Sequence, residues 1–234
     1  LKTGGFLAYL VGGSLRDLLL GKTPTEWDIT TSAKPDEVTA LFPKVIPTGI
    51  LYGTVTVLLP DGPYEVTTFR ADEKYLDGRH PANVRFTDDL HADLARRDFT
   101  INALACDPGE SNIIDDHHGQ DDLKEKIIRA IGDPTERFSE DGLRSIRACR
   151  FAAVLEFEIE PKTFAAISQT LAVTKKVAPE RVHDELVKIL KAPRPSVGFE
   201  LMRRSGLLEM LLPELVEGFG IKQPAEFHKF DVYW

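Results

Sequence analysis

Cysteine is scarce in this sequence. Only Cys106 and Cys149 occur among 234 residues, too few for a disulfide framework or for the ligands of a cysteine-based zinc site. Such low usage is typical of proteins in the reducing cytoplasm. The sequence also lacks any apolar run near the roughly 18 residues that a membrane span requires, and it shows no signal-peptide pattern. These absences predict a cytoplasmic protein that does not enter a membrane.

Positive charge is also in deficit. The 29 lysines and arginines are outnumbered by 37 acidic residues, which gives a formal net charge of −8. This balance argues against uniform binding to nucleic acid, but phosphate responds to local patches of charge, so arginine clusters still count. The chain begins with Leu1 and ends with Trp234, and from these ends we expect a fragment of a longer protein.

Strand patterns dominate the first half of the chain. Residues 6–11 form a short apolar run, and residues 53–60 are rich in β-branched side chains. The Asp61-Gly62 pair that follows is a hairpin signal, so residues 63–70 are predicted to return as the partner strand. Residues 71–90 are polar and without clear periodicity. We interpret them as a long mobile loop, and loops of this length in a compact domain are often functional.

Helical patterns dominate from residue 121 onward. Apolar residues recur at near-helical spacing, and Pro179 suits a first helical turn. The predicted helices cover residues 140–155, 161–172, 179–191 and 196–205. The sequence therefore predicts an α+β fold that begins with a head of a small mixed or antiparallel sheet and flanking helices. The expected division is a head at 1–117, a helical neck at 118–178 and the start of a helical body at 179–234.

A glycine turn follows the first apolar run. Gly12, Gly13 and Ser14 lead into a predicted helix that contains Arg16. Backbone N–H groups at such a helix start can bind an anion, and an arginine fork suits phosphate. The alternative interpretation is a tight strand-to-helix turn without a ligand.

Three carboxylates form a candidate metal site. Glu26 and Asp28 are separated by one residue, so in a strand both project from the same face. Carboxylate oxygens suit a hard cation such as Mg²⁺, and two-metal phosphoryl transfer depends on such ligands. Glu65 lies on the second arm of the predicted hairpin and joins them if that hairpin packs beside the Glu26 strand. The alternatives are an exposed acidic strand face and a solvated edge glutamate.

Two arginine-rich segments complete the candidate residues. In the first, Arg96 and Arg97 precede Asp98, and Asn102 follows; arginine can grip phosphate, while Asp98 or Asn102 can bond a ribose hydroxyl. A surface cluster of ion pairs is the alternative interpretation.

The second segment opens the strongest predicted helix. Asp141 and Arg144 stand one turn apart there, followed by Arg147 and Arg150. A carboxylate and an arginine in this relation can read the edge of a nucleobase. The alternative is an ordinary charged helix face.

These segments together resemble the class II tRNA nucleotidyltransferases of the DNA polymerase beta superfamily, a family that includes CCA-adding enzymes, A-adding and CC-adding enzymes and bacterial poly(A) polymerases. The resemblance extends in order over nearly the whole chain. Its motifs are LVGGSLRDLLLG, EWDITTSA, YEVTTFR, RRDFTINALA, IGDPTERFSEDGLRSIRACRFAA and APERVHDELVKIL.

The resemblance implies a role for each candidate residue. Glu26 and Asp28 would be Mg²⁺ ligands, with Glu65 as the third catalytic carboxylate. The remaining residues would bind the nucleotide: Gly13, Ser14, Arg16 and Arg97 the triphosphate, Asp98 the ribose, and Asp141 and Arg144 the base, supported by Arg147 and Arg150. The segment 71–90 resembles the family's flexible loop, which is associated with incorporation of A and disfavours a purely CC-adding enzyme.

The implied function is addition of C and A from CTP and ATP to the 3′ end of tRNA without a nucleic-acid template. An A-adding enzyme or a poly(A) polymerase of the same family is the first alternative. A catalytically weak nucleotide- or RNA-binding module is the second, because the sequence departs from the family pattern at Glu26, where Asp-x-Asp is usual, and stops short of the further helical regions.

Overall fold

The computed structural model describes residues 1–72, 84–110 and 112–226. Their contacts form two compact units, one up to Ile131 and one from Gly132. The division lies later than the boundary at residue 117 expected from composition, because the segment after residue 117 is tied into the first unit. Asp122 accepts a hydrogen bond from Thr100 Oγ1 at 2.6 Å and pairs with Arg129.

The first unit is built on strands with a few short helices. Its strands are β1 (Ala8–Val11), β2 (Trp27–Thr31), β3 (Val45–Gly49), β4 (Thr54–Leu59), β5 (Gly62–Thr68), β6 (Arg70–Asp72), β7 (Val84–Phe86), β8 (Ala105–Asp107), β9 (Asn112–Ile114) and β10 (Ile127–Ile128). Its helices are α1 (Gly12–Leu19), α2 (Pro35–Leu41), α3 (Leu90–Ala95) and α4 (Gly119–Glu125), with 3-10 turns at Lys2–Gly4, Ile50–Tyr52 and Thr100–Asn102.

One seven-stranded sheet organises this unit, with strand order β3-β4-β5-β2-β1-β8-β9. The pairing of β2 with β5 is parallel, and the other neighbours are antiparallel. The predicted hairpin is confirmed, since β4 pairs with β5 around the Asp61-Gly62 turn and Leu59 lies opposite Gly62. The mixed sheet of the expected α+β fold is therefore present.

Alternation along the strands separates a core face from a polar face. On β4 and β5, Val55, Val57 and Val66 are buried and pack with Ala33 and Val38. Residues between these valines point the other way because successive strand residues alternate between faces. That second face carries the polar side chains of β2 and β5, so burial of the valines sets the orientation of the candidate carboxylates.

The segment predicted as a long loop is ordered at its two ends. Arg70 pairs with Phe86 and Asp72 with Val84 across β6 and β7, and α3 begins at Leu90. The prediction of a loop over the whole of residues 71–90 is therefore wrong at these ends, where backbone pairing replaces the expected coil. Its centre, residues 73–83, lies outside the described part of the chain.

The second unit consists almost wholly of helices. They are α5 (Pro134–Glu140), α6 (Leu143–Leu155), α7 (Pro161–Gln169), α8 (Leu171–Thr174), α9 (Pro179–Leu190), α10 (Pro195–Arg204), α11 (Leu207–Leu211) and α12 (Pro213–Glu217), with a two-residue strand β11 (Glu158–Ile159). Proline occupies an initial position of α5, α7, α9, α10 and α12, where its missing N–H costs nothing. The prediction for Pro179 is thus confirmed.

The strongest helix begins later than predicted. Its first residue is Leu143 rather than Glu140, and Asp141 has extended backbone angles, φ −143° and ψ 108°. Glu140 instead closes α5. Gly142, which follows the extended residue, has no room for a side chain, because a Cβ there would lie 2.6 Å from the backbone of Thr174. Asp141 therefore stands in a short connection and not on the helix.

The part of the chain that the structure describes contains no helix long and apolar enough to cross a membrane.

Candidate active site

The start of α1 approaches the carboxylate of Asp28 closely. Gly12 has φ +67°, and a Cβ there would lie 3.1 Å from Asp28 Oδ2 and 3.2 Å from Arg97 Nη1. Both the left-handed conformation and the close approach favour glycine. Gly12 was predicted as part of the glycine turn but not among the nucleotide-binding residues; its position directly after the end of β1 was the available signal.

The Ser14 hydroxyl links the end of β1 to β2 by hydrogen bonds. Its hydroxyl is buried, donates to the carbonyl of Val11 at 2.8 Å and accepts from the N–H of Asp28 at 3.4 Å. The backbone N–H groups of Gly13 and Ser14 point at the Asp28 carboxylate and act to lower its pKa. The helix start therefore already holds one negative charge, as helix N-termini favour.

Asp28 and Glu65 face each other across the parallel pair of strands. They are direct partners in the register of β2 with β5, so their side chains project from the same face. The hairpin thus packs beside the strand that follows Glu26, which was the condition for Glu65 to join the other carboxylates. Glu26 lies just before β2 and is exposed.

Electrostatics at this face disfavour three ionised carboxylates without a cation. Burial, and then the negative charge of Glu26, raise the pKa of Asp28, against the lowering effect of Arg97. Although the Glu65 residue is exposed, partial desolvation of its carboxyl group raises its pKa, and the charges of Asp28 and Glu26 add to the rise against Arg70. A bound cation would favour the ionised form of both carboxyl groups and would therefore oppose both shifts.

The donor chemistry fits a hard cation. Carboxylate oxygens are the ligands that Mg²⁺ prefers, and Asp28 and Glu65 are opposed on one face of the sheet. Among residues 1–72, 84–110 and 112–226, no three His, Cys, Asp or Glu side chains converge as a ready-made metal site. Binding would therefore require side-chain rotation at Glu26 or Glu65.

A buried network joins Arg16 to Asp98. The Arg16 guanidinium donates to Asn102 Oδ1 at 2.8 Å and to Asp17 Oδ1 at 2.9 Å. Asn102 Nδ2 in turn donates to Asp98 Oδ1 at 3.0 Å, which also accepts from the N–H of Phe99. Two of the predicted nucleotide ligands, Arg16 and Asp98, are thus brought together through Asn102.

Asp93 is a buried hub that the sequence analysis missed. Its side chain has no exposed surface; it pairs with Arg96 at 2.9 Å and with Arg97 at 3.2 Å, and it accepts from Thr30 Oγ1 at 3.1 Å. Burial acts to raise the pKa of Asp93, but the two arginines hold it below its usual value. The sequence does indicate these pairs, because Arg96 and Arg97 follow Asp93 by three and four residues, which is the spacing of ion pairs on a helix.

This hub directs Arg97 toward the carboxylate face. Arg97 Nη2 donates to Asp93 Oδ2 at 3.2 Å, and Arg97 Nη1 donates to the carbonyl of Asn102 at 3.4 Å. The Arg97 Nε is buried without a hydrogen-bond partner in the described residues. An arginine fixed in this way beside Asp28 suits an anionic ligand.

In the second unit, Asp141 is bound by an arginine from α9. Arg181 Nη2 lies 2.8 Å from Asp141 Oδ2, and Nη1 lies 3.3 Å from Oδ1. Asp141 Oδ1 also accepts from the N–H of Leu143 at 3.0 Å. Arg181 is a further candidate that the sequence analysis did not identify, because 40 residues separate it from Asp141.

The arginines of α6 differ in their surroundings. Arg144 is buried, forms an ion pair with Glu140 and donates to the carbonyl of Arg137 at 2.8 Å. Arg150 pairs with buried Glu185 at 2.5 Å and lies over the ring of Phe151. Arg147 lies over the same ring, 5.4 Å from its centre. Roles for all three in base recognition remain predictions.

The mixed sheet, its paired carboxylates and the glycine helix start all lie within a segment that matches a known family. The model of the poly A polymerase head domain matches residues 8–129, and the model described as a probable RNA and SrmB-binding site of polymerase A matches residues 156–218. The chain belongs to this family, the class II nucleotidyltransferases, as its motifs indicated.

Known relatives support the assignment. The chain is 49% identical over 209 residues to the CCA-adding enzyme of Lactobacillus helveticus, a match that covers 89% of this chain and 52% of that protein. The crystal structure of the Bacillus stearothermophilus CCA-adding enzyme in complex with CTP is similar at a TM-score of 0.83 and 41% identity, over 90% of this chain and 51% of that chain. A tRNA nucleotidyltransferase complexed with a primer tRNA and an incoming ATP analog matches at a TM-score of 0.73 and 30% identity, over 96% and 63% of the two chains. The chain spans about half the length of the curated relatives it matches.

Proposed function

We propose that this chain carries the nucleotide-adding part of a CCA-adding enzyme, which extends the 3′ end of tRNA with C and A from CTP and ATP. One observation carries the proposal. The parallel register of β2 with β5 sets Asp28 opposite Glu65, beside the helix start at Gly12. The likeness to relatives named CCA-adding enzymes supports this choice over an A-adding enzyme or a poly(A) polymerase.

In the proposed reaction the RNA 3′-hydroxyl attacks the α-phosphorus of the nucleotide and pyrophosphate leaves. Glu26 and Asp28, with Glu65, would hold Mg²⁺, which would lower the pKa of the attacking hydroxyl and neutralise charge on the triphosphate. The cation would place positive charge beside Asp28 and Glu65, whose pKa values are raised by burial and by the neighbouring acids.

The residues around Asp28 would bind the triphosphate. Gly13 would donate its backbone N–H group to a phosphate oxygen. Arg97, which is already held by Asp93, would bind phosphate through its guanidinium, whose fork matches phosphate oxygens. Ser14 and Arg16 would exchange their present bonds to Val11 and Asn102 for phosphate oxygens. These donors would stabilise the charge that develops as pyrophosphate departs.

The remaining nucleotide contacts concern the sugar and the base. Asp98 is linked to Arg16 by two hydrogen bonds through Asn102, and it would accept a hydrogen bond from a ribose hydroxyl. Asp141 and Arg144 would select the base, supported by Arg147 and Arg150. At C4 of the pyrimidine or C6 of the purine, C and A carry an amino group, which can donate a hydrogen bond to a carboxylate. U and G carry a carbonyl oxygen at the same position, which cannot donate.

The same proposal locates the reaction in the cytoplasm. Cys106 and Cys149 are both free thiols, and unpaired cysteines are typical of a reducing compartment.

The direct test is nucleotide incorporation into defined tRNA ends. The protein is incubated with Mg²⁺, one labelled nucleoside triphosphate at a time, and tRNA that ends before CCA, after C, or after CC. We expect C to be added to the first two ends, A to the CC end, and no label from UTP or GTP. Omission of Mg²⁺ should abolish all incorporation.

Other outcomes replace the proposal with a specific rival. A label only from ATP on tRNA ending in CC identifies an A-adding enzyme, and long A tails identify a poly(A) polymerase. Binding of CTP and ATP without transfer to any tRNA end identifies a catalytically weak binding module.

A further inference from the structure

The carboxylate of Asp141 has a defined hydrogen-bonding state before any nucleotide binds. A carboxylate offers about four acceptor directions, two on each oxygen. Among the described residues, Oδ1 accepts from Leu143 N–H and from Arg181 Nη1, while Oδ2 accepts from Arg181 Nη2 alone. One acceptor direction, on Oδ2, is left.

We propose that Arg181 is a positioning residue for base selection, because it holds both oxygens of Asp141 and leaves a single acceptor directed at an exocyclic amino group. This inference rests on the proposed function and deepens it. A carboxylate held in one orientation accepts from the amino group of C or A and repels the carbonyl oxygen of U or G. A freely rotating carboxylate would offer several directions and discriminate less sharply.

Arg181 suits this role better than a lysine would. Its planar fork contacts both oxygens at once, whereas a lysine is a single point charge that does not fix the carboxylate plane. The pair is also accessible, since 30% of the Arg181 side chain and 17% of the Asp141 side chain are exposed. An ion pair at such exposure contributes little to folding stability.

The backbone that carries Asp141 is anchored independently of Arg181. Gly142 packs against Thr174, whose Oγ1 donates to the Gly142 carbonyl at 3.0 Å, and Leu143 begins α6. Removal of the Arg181 fork should therefore release the Asp141 carboxylate while the connection itself stays in place. This separation makes the proposal testable by substitution.

The test compares CTP with UTP in the parent protein and in Arg181→Ala and Arg181→Lys. We expect Arg181→Ala to lower the preference for CTP over UTP by about tenfold, seen both in incorporation into tRNA that ends before CCA and in the ratio of dissociation constants without tRNA. The loss should appear mainly in KM for CTP, and Arg181→Lys should retain part of the preference.

Arg203→Ala is the matched control. Arg203 forms a comparable two-contact pair with Glu200 in the same unit, at 2.7 Å and 2.8 Å, with 28% of each side chain exposed. It should keep the parent preference. In an Asp141→Ala background, Arg181→Ala should cause no further loss of preference, because the group that it positions is absent.

The outcomes separate this inference from the proposed function. An Arg181→Ala protein that is folded by circular dichroism and keeps the full preference overturns the inference, whether or not tRNA is extended. An equal loss in Arg203→Ala also overturns it, because the pair would then act only on stability. If the parent protein binds CTP over UTP but extends no tRNA, the proposed function fails while the binding ratio still tests Arg181; a parent without any preference overturns the inference.

Discussion

In the first unit, Asp28 and Glu65 stand opposite each other on neighbouring strands, whereas in the second unit each candidate acid faces an arginine. Burial, and then the negative charge of neighbouring acids, raises the pKa values of Asp28 and Glu65. Asp141 pairs with Arg181, and Glu140 with Arg144. The carboxylates of Asp28 and Glu65 thus lie beside each other, whereas those of Asp141 and Glu140 each pair with an arginine.

This difference corresponds to two kinds of chemistry. Excess negative charge on a rigid sheet creates affinity for a cation that is brought from solution, and that affinity is the basis of a metal site. Neutralised pairs have no such affinity, but their orientations are fixed, which suits recognition of a neutral base edge. The comparison predicts that substitutions in the first unit act on rate, and those in the second unit act on choice of nucleotide.

The largest expected effect is that of Asp28→Ala. It removes a carboxylate that the helix start at Gly13 and Ser14 already holds in place, so the proposed metal loses its best-positioned ligand. We expect kcat for CTP incorporation to fall by at least about 1000-fold, with CTP binding still measurable. Asp36→Ala, an exposed acid in α2, should keep the parent rate. A parent-like rate in Asp28→Ala would exclude the proposed chemistry.

Asp93→Asn should have the next largest effect, on stability. The fully buried carboxylate binds Arg96 and Arg97, and breaking a buried pair leaves charge uncompensated. We expect the free energy of unfolding to fall by about 3–5 kcal/mol, measured by urea denaturation of the first unit. Asp61→Asn, an exposed acid that accepts from Tyr64, serves as control and should change stability little.

The same residue predicts a pH dependence. The folded-state pKa of Asp93 lies below its ordinary value of 3.8, so its contribution to stability is complete above about pH 4 and is lost as the pH falls through the folded-state pKa. In the parent protein, stability should therefore decline below about pH 4. The decline should be shallower in Asp93→Asn, and identical slopes would show that Asp93 does not contribute.

Arg144→Lys tests the second unit. The substitution keeps the charge near Glu140 but removes the planar guanidinium, whose Nη1 contacts both Glu140 and the carbonyl of Arg137. We expect the selectivity for CTP and ATP over UTP and GTP to fall by about 10- to 100-fold, with the rate on saturating CTP changed much less. Arg203→Lys is the matched control. A fall in rate for all nucleotides alike would contradict the contrast between the two units.

Local patterns predicted some of this architecture and long-range pairing determined the rest. The hairpin of residues 53–70 follows from alternating β-branched residues and an Asp-Gly turn, which are short-range signals. The parallel partner of β2 has no local signature, since strand pairing depends on the packing of the whole sheet. The same limit hid Arg181, which lies 40 residues from Asp141. The break at Asp141 was not predicted, and the contact of the next residue, Gly142, with Thr174 joins positions 32 residues apart, which a local pattern does not reveal.

The smallest expected effect is that of Glu26→Asp. Glu26 is exposed and lies just outside β2, whereas Asp28 is within the strand and held by the helix start. The Glu26 side chain is one methylene longer than that of the aspartate usual in the family, and Mg²⁺ tolerates poor octahedral geometry badly. We expect Glu26→Asp to keep or raise kcat, measured as CTP incorporation over a Mg²⁺ titration. A tenfold loss would contradict this expectation, because the shorter side chain retains the charge and alters only its reach, so the loss would show that the longer glutamate is needed at this position.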